Sequence, residues 1–132
     1  MIFVDTNVFV YAVGRPHQLR DAAREFFVHS NRSQMPLCTS AEVLQELVHI
    51  YLAVARIGTL GEAMALVAKS RVEVWPLEKE DVTLARQLHE QHPMLDARDL
   101  CHLASCRRRG VSKIMTFDRA LRAVAGDFPP IP

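Results

Sequence analysis

Apolar and polar positions alternate along this chain in short, well-punctuated blocks. Ile2, Phe3 and Val4 form an apolar run that stops at Asp5, the pattern of a strand buried on both faces. Asp5, Thr6 and Asn7 then offer N-cap side chains to a short helix over 8–13, closed by Gly14-Arg15-Pro16. Over 19–30, Ala22, Ala23, Phe26 and Phe27 recur at helical spacing with charge on the opposite face. Residues 35–39 read as a second strand. Ser40 caps a helix over 41–56, whose stripe includes Val43, Leu44, Leu47, Val48 and Tyr51. Gly58 and Gly61 bracket a break before a helix over 62–69. Residues 72–75 alternate and are β-branched, which predicts a strand stopped by Pro76. Helices follow over 80–91, ended by Pro93, and over 98–109, ended by Gly110. Residues 113–116 form a fourth strand and Asp118 caps a helix over 119–125. Gly126 and the Pro129-Pro130-Ile131-Pro132 tail close the pattern.

Strands separated by helices predict an α/β fold, with a parallel sheet covered by helices on both faces. No internal repeat, low-complexity tract or long linker interrupts the order, so residues 1–132 read as a single domain. In such folds ligands bind beyond the carboxyl ends of the strands, where strand order reverses. The residues just after each strand are therefore the first candidates for chemistry. Two apolar surfaces, over 19–27 and 44–51, are compatible with either core or a dimer face.

Composition narrows the class. With 132 residues, 49% of them hydrophobic, the chain can bury one core and is neither disordered nor collagen-like. Its longest apolar stretch, residues 8–13, is far short of the ~20 residues of a membrane-spanning helix. Asp5 breaks the first apolar run too early for a secretory signal peptide. Cys38, Cys101 and Cys106 include no CxxC pair and argue against a disulfide framework. These features predict a compact soluble protein of a reducing compartment, the cytoplasm. The net charge of +1 says nothing about partners. Arg107-Arg108-Arg109 either touches phosphate through its guanidinium groups or is a solvated helix end favoured by the dipole.

The acids carry more information. Asp5 and Asp118 each follow a strand almost immediately, and each also suits an ordinary N-cap. Asp99 falls in the first turn of its helix, where the dipole favours a carboxylate. Glu46 shares one helical face with Val43, Leu47 and Ile50, so it is either at the edge of an apolar stripe or buried and compensated. If these four acids converge, their repulsion needs a cation, because two carboxylates ~5 Å apart repel by roughly 3 kcal/mol at an effective dielectric near 20. An all-oxygen site suits Mg²⁺ or Mn²⁺, which can activate a water for in-line attack on a phosphodiester.

Asp5-Thr6-Asn7 after an apolar strand, Glu46 within Glu42-Val43-Leu44-Gln45-Glu46-Leu47, Asp99 within Arg98-Asp99-Leu100-Cys101-His102-Leu103-Ala104, and Thr116-Phe117-Asp118 together resemble a PIN domain. More narrowly they resemble the VapC toxins of bacterial and archaeal toxin–antitoxin pairs. The likeness covers essentially the whole chain, and its strength lies in the ordered set rather than in any single motif. It implies a three-layer α/β/α fold with a small parallel sheet of four to five strands. It also implies a Mg²⁺- or Mn²⁺-dependent endoribonuclease that cuts structured RNA such as tRNA or rRNA, leaving a 3′-hydroxyl and a 5′-phosphate. Asp5, Glu46, Asp99 and Asp118 would form the acidic cluster, with Asp5, Asp99 and Asp118 closest to metal. Asn7 and Thr116 would orient carboxylates or metal-bound waters. The expected partners are an RNA substrate, a cognate VapB-like antitoxin and a second copy of the chain. Asp96, one helical turn before Asp99, is either a fifth acid or a cap, and the stretch Arg119-Ala120-Leu121-Arg122 departs from many relatives that carry a phenylalanine after the last aspartate.

Other chemistry is thinner. His102 with Cys106 and His89 with His92 are half-sites for zinc, but a complete site needs about four ligands. His102, three residues after Asp99, either faces the cleft or, the preferred reading, is a partly exposed helix histidine. No GxSxG, phosphate-binding glycine loop or HExxH is present. A phosphoacceptor receiver also alternates strands with helices, yet its acidic pair after the first strand is missing, and the mid-chain strand runs into Trp75-Pro76-Leu77 without an aspartate. A non-catalytic PIN-like module that binds RNA or protein is the remaining alternative.

Overall fold

The computed structural model describes residues 1–125; the predicted closing segment from Gly126 to Pro132 lies outside them. Elements follow the order β1 (Ile2–Val4), α1 (Thr6–Val13), α2 (Arg20–Arg32), β2 (Leu37–Ser40), α3 (Ala41–Ala53), α4 (Ile57–Lys69), β3 (Glu73–Trp75), α5 (Lys79–Leu88), α6 (Ala97–Arg108), β4 (Lys113–Met115) and α7 (Arg119–Ala125). The four strands form one sheet in the order β3-β2-β1-β4, and every pairing is parallel. Ile2, Phe3 and Val4 are wholly buried in this central position, as a continuous apolar strand requires. Helices α1 to α4 pack against one another, while α5 packs on α6, and these two groups flank the sheet. The arrangement is an α/β/α fold.

The two apolar surfaces left open by the sequence are core: Ala23, Phe26, Phe27, Leu47 and Tyr51 are all buried. Chain order creates a crevice. From β1 the chain moves outward through β2 to β3, then returns through α5 and α6 to place β4 on the other side of β1. Strand order reverses there, so the crevice opens beyond the carboxyl ends of β1 and β4.

The glycine pair does not break a helix. α4 starts at Ile57 and runs through Gly58 and Gly61, where a side chain would meet nothing within 4 Å. Glycine there costs about 1 kcal/mol in helix propensity, which packing of Ala63 and Val67 into the core offsets. Conversely, α2, α3 and α4 stop without glycine: Gln34, Ala55 and Arg71 each take φ +54. After α3, Ala55 N–H donates to Leu52 O and Arg56 N–H to Tyr51 O, the paired bonds of a left-handed helix terminus. An L-residue in that conformation costs about 1 kcal/mol. Ala55→Gly is therefore expected to raise the thermal midpoint by about 3 °C; an unchanged or lower midpoint in calorimetry would show that this turn carries no strain.

The arginine run settles against the phosphate reading for two of its members. Arg108 and Arg109 both donate to Asp81 Oδ1, at 2.7 and 3.0 Å, and Asp81 is completely buried. Arg109 also lies over the Trp75 ring, 4.8 Å from its centroid. These arginines fasten α6 to α5 and β3 rather than standing solvated at a helix end.

Candidate active site: an acid pocket at the carboxyl ends of β1 and β4

The crevice is a pocket of about 280 Å³ lined by Asp5, Asn7, Glu46, Asp96, Asp99 and Asp118, together with Thr6, Arg98 and His102. All four acids that the sequence singles out meet here, although they come from four separate stretches of the chain. Two strand ends and two helices bring them together. Asp5 is the first residue past β1, and its N–H donates to Met115 O at the end of β4. Asp118 follows β4 after Thr116 and Phe117, while Asp99 and Glu46 reach in from α6 and α3.

Capping and pocket geometry coincide instead of competing. Asp5 caps α1 through Oδ1, which accepts from Thr6 N–H at 2.8 Å. Asp118 Oδ1 accepts from Leu121 N–H at 3.0 Å in the first turn of α7. Asp96 Oδ1 accepts from Asp99 N–H at 2.9 Å and caps α6 while also lining the pocket. Each cap pins a carboxylate at the start of a helix, with the positive end of the helix dipole beside it.

Thr116 and Asn7 stand behind these acids as a hydrogen-bonded tie. The buried Thr116 hydroxyl donates to Asp5 Oδ2 at 2.7 Å and accepts from Asp118 N–H at 3.0 Å and Asn7 Nδ2–H at 3.3 Å. Asn7 Oδ1 accepts from Phe117 N–H. The ends of β1 and β4 are thus locked to each other, and Asp5 cannot turn without breaking the tie.

Glu46 lies between the two alternatives, half-buried at the edge of its stripe and compensated. Thr6 Oγ1 donates to its Oε2 at 2.7 Å, and Arg98 pairs with its Oε1. Arg98 is a residue that sequence reasoning misses; its place beside Asp99 is the only signal for it. His102 is a correction: it is not a partly exposed helix histidine but is 1% exposed, with Nε2 3.6 Å from Asp5 Oδ1 and Nδ1 3.9 Å from Glu42 Oε2. Glu42 is missed in the same way, although it sits one helical turn before Glu46 on the same face of α3.

The electrostatics show an excess of negative charge. Burial, then Asp96, Asp5 and Asp118, push the Asp99 carboxyl up to about 7, with Arg98 opposing. Burial and then Glu46 push the Glu42 carboxyl up as well. Burial lowers His102 below its ordinary value against the pull of Asp5 and Glu46. One arginine does not neutralise this set. The donors are oxygens of hard carboxylates, the chemistry that Mg²⁺ or Mn²⁺ takes and zinc does not need. Among the described residues no three His, Cys, Asp or Glu side chains are closed into a ligand cage. Mg²⁺ uses few protein ligands and keeps several waters. The thiols are unsuited as ligands: burial first of all drives Cys38 up to about 12 and Cys101 up to about 11.

Comparison with known proteins agrees with the fold. The PIN domain family matches residues 2–127, and the chain belongs to that family. Ribonuclease VapC23 of Mycobacterium tuberculosis is 58% identical over 121 residues, 92% of this chain and 95% of that protein. Ribonuclease VapC13 of the same organism is 33% identical over 126 residues, 96% of each chain. The chain is a VapC-type PIN domain. In three dimensions it matches the crystal structure of Mycobacterium tuberculosis VapC20, described as a sarcin-ricin loop cleaving toxin, with a TM-score of 0.82 over 100% of both chains at 19% identity. A toxin–antitoxin complex from Klebsiella pneumoniae matches with a TM-score of 0.64 at 16% identity, over 89% of this chain and 87% of that one. The last two likenesses concern the fold.

Proposed function

We propose that this chain is a metal-dependent endoribonuclease and the toxin of a type II toxin–antitoxin pair, its 132 residues acting as one catalytic unit. The observation that carries the reading is the meeting of Asp5, Glu46, Asp99 and Asp118 in one pocket at the strand-order reversal. The 58% identity to a ribonuclease over most of both chains supports it. Asp5, Asp99 and Asp118 would hold Mg²⁺ or Mn²⁺. When bound, the ion supplies positive charge to a phosphodiester and lowers the cost of deprotonating an attacking water.

The protein's own groups do the rest. Thr116 and the Thr6 N–H orient the two oxygens of Asp5, Asn7 fixes Thr116, and Arg98 with Thr6 holds Glu46 in place at the pocket wall. Fixed carboxylates of this kind need no rearrangement as charge develops, which is the source of their advantage over water. The substrate is RNA, a tRNA or an rRNA, with products bearing a 3′-hydroxyl and a 5′-phosphate. A VapB-like antitoxin and a second copy of the chain are the expected protein partners, the first supported by the toxin–antitoxin complex that shares the fold. Among the described residues no helix is long and apolar enough to cross a membrane; the cytoplasm is the proposed place of action.

The test is RNA cleavage by purified protein with Mg²⁺, Mn²⁺ or EDTA. Cleavage that requires either ion and is lost in Asp5→Asn, with the variant still folded, is the expected result. RNA binding without metal and without cleavage would instead favour the non-catalytic module. Membership of the PIN-domain family already removes the receiver reading.

A further inference from the structure

Behind the acid pocket, two buried polar atoms face each other without partners. His102 Nδ1 and Glu42 Oε2 are sealed from solvent and make no hydrogen bond, yet lie 3.9 Å apart. Leaving both unmet costs about 1–3 kcal/mol for each group, and side-chain movement of about 1 Å would join them. On its other side the same ring presents Nε2 at 3.6 Å from Asp5 Oδ1. The Phe3 ring, 5.1 Å away, packs on the imidazole and restricts its plane. Glu42 on α3, His102 on α6 and Asp5 after β1 therefore stand in a line that ends at the pocket.

We propose that His102, supported from behind by Glu42, is a positioning residue for Asp5, its Nε2–H fixing the carboxylate's orientation. The inference rests on the reading of Asp5 as a metal-holding group. The Asp5 oxygen accepts, so the ring nitrogen beside it carries the hydrogen; Nδ1 is then an acceptor, and the hydrogen of its bond with Glu42 is carried by Glu42 Oε2. Thr6 and Thr116 hold Asp5 from the strand ends, while His102 reaches it from α6. That helix also carries Asp99, three residues before His102. The contact thus sets Asp5 relative to Asp99, the spacing on which a shared ion depends. Outer partners of metal-holding groups are worth about 10–100-fold in affinity when removed.

Two measurements decide it. In metal-free wild-type protein, ¹⁵N NMR of His102 is expected to show hydrogen on Nε2; a neutral ring with hydrogen only on Nδ1 overturns the proposal, whatever the variants do. Mn²⁺ binding, followed by electron paramagnetic resonance, separates His102→Gln from His102→Asn. The glutamine amide nitrogen reaches the place of Nε2 and keeps affinity within about threefold, whereas the shorter asparagine loses about 10–100-fold. Circular dichroism confirms folding of both. Equal, wild-type affinity in His102→Asn overturns the positioning role. A wild-type protein that binds no Mn²⁺, or an Asp5→Asn variant that binds it normally, defeats the reading of Asp5 itself and the positioning role with it.

Discussion

In EDTA at pH 8, Asp99→Asn melts at a higher temperature than the wild-type protein, and the same substitution lowers RNA cleavage in Mg²⁺ by on the order of 100-fold or more. The two effects have one cause. Asp99 enters a pocket already holding Asp96, Asp5 and Asp118, and burial plus these neighbours raises its carboxyl to about 7 from the ordinary 3.8. The helix dipole at the start of α6 and Arg98 both favour the charge, but they are outweighed. A carboxyl whose folded value exceeds its unfolded value binds its proton more tightly when folded, so its destabilising charge appears as pH rises from about 4 to about 7. The full shift corresponds to about 4 kcal/mol, which solvent screening of a half-buried group reduces to ~1–2 kcal/mol. Asparagine never ionises. Its advantage should reach about 5 °C above pH 7 and vanish near pH 4. Mg²⁺ then raises the wild-type midpoint more than the variant's, because an ion that binds only the folded form stabilises it. A variant that melts below wild type at pH 8 would show that the acids are not in conflict.

Such conflict is only partly legible in the chain. Asp5 and Asp118 announce themselves by following apolar runs, and the α/β alternation tells where to look. Their meeting depends on β4 lying beside β1 instead of beside β3, a choice made by the packing of α5 and α6 and invisible to local spacing. Capping and pocket roles look like rivals in one dimension; in the folded chain Asp5, Asp96 and Asp118 do both, since a helix start is where a fixed carboxylate sits cheaply. Long-range compensation is hidden too. Nothing near Glu46 in sequence shows that Thr6 and Arg98 will hold it. His102 looks like surface because its helix is polar on average, yet α6 is buried from Leu100 to Cys106 and takes the histidine with it. Helix ends mislead for the opposite reason: Gly58 and Gly61 carry a local signal that core packing overrides, and Gln34, Ala55 and Arg71 adopt φ +54 with no glycine to mark them.

Asp81→Asn is expected to be the most destabilising exchange outside the pocket, lowering the thermal midpoint by on the order of 10 °C. The Asp81 carboxylate is wholly buried, a position that by itself raises its proton affinity. The N–H of Glu78 and the guanidinium groups of Arg108 and Arg109 outweigh that and hold the carboxyl below its ordinary value. Its contribution is therefore present above about pH 4 and is lost as pH falls through the lowered value. Breaking a buried pair leaves charge without its partner and costs about 3–5 kcal/mol. Here the two arginines are partly exposed, so water recovers some of that and ~2–4 kcal/mol remains. The loss spreads through the architecture, because Arg109 also bonds Glu78 Oε1 and covers Trp75 at the end of β3. The acid pocket lies elsewhere in the fold, so Mn²⁺ affinity at 15 °C should not change. Urea unfolding at pH 7 checks the first statement and titration of Mn²⁺ the second. As pH falls through the lowered value of wild-type Asp81, the stability gap between the two proteins should shrink; a gap that stays constant as the protein is acidified from pH 7 would mean that shape, and not charge, is what Asp81 contributes.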